Sequence, residues 1–215
     1  MLLSGLCVFF LAPVTAESTQ AKNDGPSAIL ILGDSISAGY GMTLETGWVA
    51  LLNARLTASD YNWRAINASI SGDTTGGGLR RLPALLEKHH PEIVIIELGG
   101  NDGLRGYPIK QLRTNLAVMA EKAQQSGAQV LIMGMEIPPN FGERYTRLFR
   151  EVFNTVANSE NIQYGMFMLK GIATDPSLMQ ADGIHPTAEA QSLLLDNVWH
   201  SLAPLIDHSG STDNP

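Results

Sequence analysis

Short apolar segments alternate with longer segments of helical spacing along the central part of this chain, and this alternation restricts the possible folds more than any other feature. The candidate strands are residues 28–32, 63–68, 93–98, 129–133 and, with a weaker pattern, 162–167. The candidate helices are residues 48–56, 79–88, 109–125, 144–158 and 187–202. Strands that alternate with helices predict βαβ units, which place helices on both faces of a parallel sheet. The sequence therefore predicts one three-layer α/β/α domain.

The amino-terminal residues do not follow this pattern. Residues 1–14 carry no charged side chain, and Val14 and Ala16 occupy positions −3 and −1 of a candidate cleavage site. This arrangement is typical of a secretory signal peptide, and about 14 apolar residues are too few for a membrane span, which needs roughly 20. We expect a periplasmic or secreted protein without a stable membrane span. Its predicted segments are a signal peptide at 1–16, a polar spacer at 17–26, a folded domain at 27–206 and a disordered tail at 207–215.

Charge and cysteine content exclude several kinds of partner. The 215-residue chain has 14 Lys and Arg residues against 21 Asp and Glu residues, which gives a net charge of −7 at pH 7. Nucleic-acid binding requires clustered basic side chains, so we expect no nucleic-acid partner. The single cysteine, Cys7, excludes an internal disulfide bond and Cys-based metal sites. Composition still allows both a compact enzyme and a binding protein, and we expect a monomer.

Residues capable of chemistry follow the predicted strands. The first three strands lead into residues 33–35 (GDS), 67–73 (NASISGD) and 99–102 (GGND), and residues 182–186 (DGIHP) precede the last helix. In sheets of parallel strands, ligands bind outside the carboxyl ends of the strands. We therefore expect these four segments to meet at one edge of the sheet.

Ser35 is the candidate nucleophile for acyl transfer, which needs a nucleophile, a base, a group that orients the base, and donors for the oxyanion. It directly follows the first predicted strand, although a helix N-cap is an equally common role for Ser at such a position. Ser37 is a rival hydroxyl one step further from the strand. Residues 33–37 (GDSIS) are not a Gly-x-Ser-x-Gly elbow, which disfavours a conventional α/β-hydrolase.

His185 is the candidate base because Asp182 lies three residues before it and could orient its ring. The alternative is an ordinary turn in which Asp182 is a turn-forming residue. Asn101 could donate its side-chain amide to an oxyanion, and Gly72 could donate its backbone N–H, although both residue types also suit loops. A metal site built from the aspartates in these segments would lack histidine ligands at suitable spacing, so we expect neither a metal nor another cofactor.

Taken together, four segments resemble the sequence blocks of the SGNH hydrolase (GDSL-type esterase) family. They are residues 30–40 (LILGDSISAGY), 67–74 (NASISGDT), 97–106 (ELGGNDGLRG) and 179–186 (MQADGIHP). The resemblance extends over the chain that follows the predicted signal peptide, and it is strongest with the bacterial thioesterase I/protease I/lysophospholipase group. It implies a flavodoxin-like three-layer α/β/α sandwich with a five-stranded parallel sheet.

The same resemblance implies a role for individual residues. Ser35 would be the nucleophile, with Asp182 and His185 completing a catalytic triad. The oxyanion hole would consist of the Ser35 and Gly72 N–H groups and the side chain of Asn101. The activity implied is hydrolysis of fatty-acyl esters, lysophospholipids and acyl thioesters through an acyl-enzyme on Ser35.

Two loops are the candidate walls of an acyl-binding groove. Residues 103–108 (GLRGYP) resemble a segment that shapes this groove in the thioesterase group, which assigns Leu104 and Tyr107 to substrate binding. Residues 137–141 (IPPNF) follow the fourth strand and add Ile137 and Pro138. Two alternative functions are a carbohydrate acetylesterase and a non-catalytic lipid- or glycan-binding module on the same fold.

Overall fold

The sheet is formed by five parallel strands in the order β2-β1-β3-β4-β5. The computed structural model describes residues 25–59 and 61–210. The strands are β1 (Ser27–Gly33), β2 (Trp63–Asn67), β3 (Ile93–Glu97), β4 (Gln129–Met133) and β5 (Gln163–Gly165). The helices are α1 (Trp48–Ala58), α2 (Thr75–His89), α3 (Gly100–Leu104), α4 (Ile109–Gln125), α5 (Glu143–Glu160) and α6 (Gln191–Gly210). This is the predicted fold class.

Both faces of the sheet are covered by helices, and β1 shows why. Its alternate residues enter two different hydrophobic cores. Leu30 and Leu32 pack with α2, α4 and α5 on one face. Ile29 and Ile31 pack with α1 and α6 on the other. A strand that is buried on both faces needs apolar residues at every position, which explains the uninterrupted apolar run in the sequence.

The order of the strands indicates where a ligand-binding site lies, because the chain reverses its direction across the sheet at β1. The chain passes from β1 to the edge strand β2 and then returns to β3 on the other side of β1. The loops after β1 and β3 therefore diverge, and they leave a crevice outside the carboxyl ends of these strands. Ser35 lies on the loop after β1, and Asn101 lies in the short helix α3, which begins shortly after β3.

Several elements differ from the sequence expectation, and three of the differences concern β5, α3 and α6. β5 is shorter than residues 162–167, because this edge strand pairs with β4 only over Gln163–Gly165. The short helix α3 was not expected, since its sequence GNDGL contains two glycines. α6 begins at Gln191 and ends at Gly210, so residues 207–210 are helical although the sequence placed them in the tail. Buried Leu202 and Ile206 anchor this last part of α6 to the core.

The predicted signal peptide lies outside the described residues, as do most of the predicted spacer and residues 211–215. Within the part of the chain that the structure describes, no helix has the length and apolar character needed to cross a membrane.

Candidate active site

Ser35, His185 and Asp182 form one hydrogen-bonded row at the carboxyl edge of the sheet. Ser35 Oγ lies 2.8 Å from His185 Nε2, and His185 Nδ1 lies 2.6 Å from Asp182 Oδ2. Ser35 follows β1 by two residues and is 9% exposed, so its hydroxyl reaches the crevice from a buried backbone. The structure thus brings together three residues that are up to 150 positions apart in the chain.

The Asp182 carboxylate is held by its own loop. Its Oδ1 accepts hydrogen bonds from the backbone N–H groups of Ile184 (2.9 Å) and His185 (3.0 Å). The hydrogen bond from the His185 side chain, assisted by these two amides, lowers the pKa of Asp182 from 3.8 to about 2. Asp182 is therefore ionised near neutral pH, and its hydrogen bond to Nδ1 orients the His185 ring.

Gln180 fixes the loop that carries His185, a role that sequence reasoning missed. Its side-chain amide donates to the backbone oxygens of Tyr40 (2.8 Å) and Pro186 (3.0 Å). Its backbone N–H donates to the carbonyl of His185 (2.8 Å). The Tyr40 ring also lies against the His185 ring, with 4.3 Å between centroids. These contacts tie the His185 loop to the loop that follows β1.

The predicted oxyanion donors lie on the two loops beside Ser35. Gly72 adopts a positive φ of 78° in the turn before α2, a conformation that favours glycine. Asn101 Nδ2 donates to Asp34 Oδ2 over 3.2 Å, which engages one of its two hydrogens. Among the described residues, the N–H groups of Ser35 and Gly72 donate to no protein acceptor. Three N–H groups on these loops therefore remain available to a ligand.

A buried carboxyl pair underlies the Ser35 turn. Glu97 is completely buried at the end of β3, and its Oε2 accepts hydrogen bonds from the Asp34 N–H (3.2 Å) and the Ser37 hydroxyl (2.6 Å). Burial, followed by the charge of Asp34, raises the pKa of Glu97 well above its usual value. Burial also raises the pKa of Asp34 to about 6. In the sequence, the signal for this buried group is Glu97 at the end of an otherwise apolar strand.

Ser37, the rival hydroxyl, belongs to this buried network and not to the row with His185. It is 3% exposed, donates to Glu97 and accepts a hydrogen bond from the indole N–H of Trp48 over 3.1 Å. Trp48 is completely buried in the core beside α6. The proton of Ser37 is thus engaged by the Glu97 carboxyl group, whereas the hydroxyl of Ser35 faces the imidazole.

The other aspartates of the four segments are engaged in structural contacts. Asp73 pairs with Arg81 over 2.8 Å, and Arg81 also donates to the carbonyls of Gly33 and Ala68. Asp102 is buried and accepts hydrogen bonds from the N–H (2.9 Å) and hydroxyl (2.6 Å) of Thr75. Within residues 25–59 and 61–207, no three His, Cys, Asp or Glu side chains are grouped so that they could hold a metal ion.

The four predicted groove residues lie on two loops that touch each other. Leu104 and Ile137 are half-buried, while Tyr107 and Pro138 are exposed. A Cβ at Gly103, next to Leu104, would lie 2.8 Å from Ile137 Cγ2, so the α3 segment packs directly against the loop after β4. The Tyr145 hydroxyl of α5 donates to the carbonyl of Tyr107 over 2.8 Å. The Arg105 side chain donates to the carbonyl of Gly72 over 3.0 Å and connects this wall to the turn before α2.

A five-stranded parallel α/β/α sandwich with Ser, His and Asp aligned at its carboxyl edge defines a class of enzymes, the SGNH-type ester hydrolases. Comparison with known proteins agrees with this class. The chain belongs to the GDSL-like Lipase/Acylhydrolase family, which it matches over residues 31–193.

Individual relatives cover nearly the whole chain. Esterase TesA of Pseudomonas aeruginosa is 49% identical over 96% of this chain and 98% of its own. Thioesterase 1/protease 1/lysophospholipase L1 of Escherichia coli K12 is 41% identical over 93% of this chain and 92% of its own. The crystal structure of the psychrotrophic esterase EstA from Pseudoalteromonas sp., inhibited by monoethylphosphonate, superposes with a TM-score of 0.82. It is 44% identical and covers 84% of this chain and 99% of its own. The protein is therefore a carboxylic ester hydrolase, which excludes the non-catalytic module.

Proposed function

We propose that this enzyme hydrolyses fatty-acyl esters, lysophospholipids among them, and acyl thioesters through a covalent acyl-enzyme on Ser35. The proposal rests on one observation, the continuous row from Ser35 Oγ through the His185 ring to the Asp182 carboxylate, with separations of 2.8 and 2.6 Å. A hydroxyl within hydrogen-bonding distance of an imidazole, which is itself oriented by a carboxylate, is the arrangement that activates serine.

The first half of the reaction forms the acyl-enzyme. His185 Nε2 takes the proton of Ser35 as Oγ attacks the ester carbonyl carbon, and ionised Asp182 stabilises the resulting imidazolium. The tetrahedral oxyanion is held by the N–H groups of Ser35 and Gly72 and by the Asn101 amide. The carbonyl re-forms, the bond to the leaving alcohol or thiol breaks, and His185 donates its proton to that group.

The second half releases the acid. A water molecule gives a proton to His185 and attacks the acyl carbonyl, and the same three donors hold the second oxyanion. Collapse of this intermediate breaks the bond to Ser35 Oγ, which recovers its proton from His185. The carboxylic acid leaves and the enzyme returns to its starting state.

The proposed acyl groove runs along the two touching loops that carry Leu104, Tyr107, Ile137 and Pro138. Three of these side chains are large and apolar or aromatic, as contact with an alkyl chain requires. The relatives named esterase and lysophospholipase support such a substrate. A carbohydrate acetylesterase would need polar contacts for the sugar and no long groove.

We also propose that residues 1–16 are a signal peptide and that the enzyme acts outside the cytoplasm. An exported enzyme meets lysophospholipids, whereas acyl-CoA is cytosolic and carries several phosphates. Lysophospholipids and simple fatty-acyl esters are then the natural substrates, and we expect thioester cleavage as a capability that an in vitro assay would detect. Expression of the full chain in a Gram-negative host, followed by fractionation and mass determination, tests this. Recovery of the uncleaved protein in the cytosol contradicts it.

The central test combines labelling with a substrate series. An organophosphonate should modify the protein once, at Ser35, and Ser35→Ala should abolish both labelling and hydrolysis, while Ser37→Ala retains labelling. Esters of increasing chain length, assayed beside lysophospholipid and acyl-CoA, then rank the substrates. Near-normal hydrolysis by Ser35→Ala would overturn the mechanism, and a preference for acetylated sugars would select the acetylesterase.

A further inference from the structure

Large apolar side chains that face solvent are concentrated on the loops around the candidate active site. Among the described residues, seven large hydrophobic side chains are exposed, and five of them lie on loops at the carboxyl edge of the sheet. These five are defined here as the apolar rim: Tyr40, Leu44, Ile70, Tyr107 and Ile184. The remaining two, Leu148 and Leu193, lie on helices α5 and α6.

Contacts place each rim residue next to the site. Tyr40 stacks on His185, and Ile184 directly precedes His185 in the chain. The Ile70 N–H donates to the carbonyl of Gly33 over 3.1 Å, which positions Ile70 beside the Ser35 turn. The rim residues therefore come from the loops that carry the proposed nucleophile, base and oxyanion donors.

Leu44 and Tyr107, the other two rim residues, lie near the same loops. A Cβ at Gly39 would lie 3.8 Å from Leu44 Cδ2, so Leu44 covers the loop that follows Ser35. Tyr107 lies two residues after Arg105, which donates to the carbonyl of Gly72. Leu44 is 64% exposed, Ile70 53% and Tyr40 51%, the largest values in the group. Such exposure of apolar side chains around an active-site opening marks an interaction surface.

The loops that carry the rim, residues 34–47, 68–74, 98–108 and 179–187, hold few exposed charges. Asp73 pairs with Arg81, while Asp34 and Asp102 are buried. The exposed charged side chains are Glu45, Arg105 and Asp182, so the rim carries only a small negative net charge. An apolar surface with so little net charge fits a neutral or zwitterionic layer, and the net charge of −7 on the whole chain opposes an anionic one.

We propose that the apolar rim docks the enzyme onto the surface of a zwitterionic lipid aggregate, with the opening to Ser35 facing the lipid. The inference rests on the proposed function, because a long-chain lysophospholipid is present in water mainly in such aggregates. Docking through the rim lets the acyl chain pass from the aggregate to the groove without crossing water. The rim residues insert among the head groups, and burial of their apolar surface supplies the attraction.

The test compares two double variants, each of which replaces two exposed aliphatic side chains with serine. Leu44→Ser with Ile70→Ser removes two rim side chains that have no assigned role in the reaction. Leu148→Ser with Leu193→Ser removes two side chains on the helices, each 39% exposed. Binding to phosphatidylcholine vesicles is measured by co-sedimentation, and hydrolysis is measured with a water-soluble short-chain ester and with micellar lysophosphatidylcholine.

The rim variant should bind the vesicles about tenfold more weakly than the wild type, since two partly buried aliphatic side chains contribute at least one factor of ten to partitioning. Its activity on the soluble ester should stay within about twofold of wild type while activity on micelles falls in proportion to binding. The helix variant should match the wild type in both assays. Replacing part of the phosphatidylcholine with phosphatidylglycerol should weaken binding at low salt.

Three results would overturn the docking proposal: no vesicle binding by the wild type, equal binding by the rim variant and the wild type, or equal losses in both double variants. Melting temperatures within the experimental error of wild type show that a loss is not due to unfolding. Failure of the proposed function has a different signature. In that case the wild type binds vesicles through the rim but does not hydrolyse lysophosphatidylcholine even below its critical micelle concentration.

Discussion

The Glu97 carboxyl group has an unusual environment for a residue so close to Ser35, the proposed nucleophile. Its Oε2 accepts two hydrogen bonds, from Asp34 and Ser37, while its Oε1 has no partner among the described residues. The Ser37 hydroxyl donates to Glu97 Oε2, and its oxygen accepts a hydrogen bond from the Trp48 indole N–H. A proton on Glu97 therefore resides on Oε1, and burial favours that neutral form. We infer that Glu97 holds the Ser35 turn as a neutral acid.

Replacing Glu97 with Gln should change how stability depends on pH. The folded-state pKa values of Asp34 (about 6) and Glu97 are raised, so the folded protein binds protons that the unfolded chain releases near pH 4. The contribution of these two groups to the free energy of unfolding of the wild type therefore falls as pH rises through about 4 to 6 and beyond. Glu97→Gln supplies a neutral amide with the same acceptor and removes the like charge that faces Asp34.

The measurement is the melting temperature of Glu97→Gln minus that of the wild type, followed from pH 5 to 8. This difference should increase with pH, and hydrolysis of a soluble ester should be retained. Glu45→Gln, which alters a solvent-exposed carboxyl group, is the control and should give a flat difference. A difference that decreases with pH would show that Glu97 acts as an anion.

Asn101 is the proposed oxyanion donor whose side chain can be removed. Asn101→Ala should lower kcat by about 10²–10³, since a single oxyanion-hole donor contributes that much in serine hydrolases. The KM for a short ester should change little, because the contact strengthens only in the transition state. Steady-state kinetics on a p-nitrophenyl ester measure both. A loss confined to KM would instead assign Asn101 to substrate binding.

Sequence reasoning selected residues by chemical type and missed residues that hold loops in position. Ser35 stood out because it directly follows a strand, and His185 because Asp182 lies three residues before it, ahead of the last helix. Gln180 and Arg105 act through hydrogen bonds to backbone carbonyls of distant loops. Any long polar side chain can make such bonds, so only the folded geometry distinguishes these two residues from surface residues.

At the scale of an element, the start of α2 controls how closely this helix packs on the sheet. Its sequence begins TGGG, and Gly78 is buried against Leu32 of β1, Leu98 directly after β3, and Met119 of α4. A Cβ at Gly78 would overlap Leu98 Cδ1 and would lie 3.4 Å from Met119 Sδ. A Cβ at Gly76 would meet nothing closer than 3.7 Å. Close packing therefore requires glycine at position 78, whereas position 76 has room for a side chain.

Alanine substitutions at these two glycines should have opposite effects. Gly78→Ala should destabilise the protein by about 1–3 kcal/mol, because the added methyl group overpacks the core. Gly76→Ala should stabilise it by about 0.5 kcal/mol, because alanine favours the helix and the site has room. Urea unfolding with an unchanged m value measures both. Destabilisation by both substitutions would show that the whole first turn, and not the Gly78 contact alone, limits how closely α2 packs on the sheet.

The predicted elements were most accurate where periodicity extended over several turns or a full strand. The predicted bounds of α4 and β4, residues 109–125 and 129–133, are those of the structure. α3 was missed because five residues give no periodicity and its glycines favour a loop. The predicted start of α2 was four residues late, since its first turn contains three glycines and is stabilised by the Thr74 cap and by packing.

At the scale of the whole molecule, the net charge should affect the approach of charged and neutral substrates differently. The chain has 21 Asp and Glu residues against 14 Lys and Arg residues, which gives its net charge of −7. A neutral ester approaches without regard to this field, whereas a polyanionic thioester is repelled at distances up to the Debye length. Ionic strength should therefore separate the two classes.

Hexanoyl-CoA and p-nitrophenyl hexanoate carry the same acyl group and differ greatly in charge. Raising the ionic strength from about 10 mM to about 150 mM shortens the Debye length from about 30 Å to about 8 Å. The kcat/KM for hexanoyl-CoA should then rise by about threefold or more, while that for the neutral ester changes by less than about 1.5-fold. Both substrates are soluble as monomers, so docking to aggregates does not affect the comparison. A fall in kcat/KM for hexanoyl-CoA would show that Arg105, which bonds to the Gly72 carbonyl, attracts the phosphates more strongly than the remaining charges repel them. That result would make acyl-CoA a favoured substrate of this site.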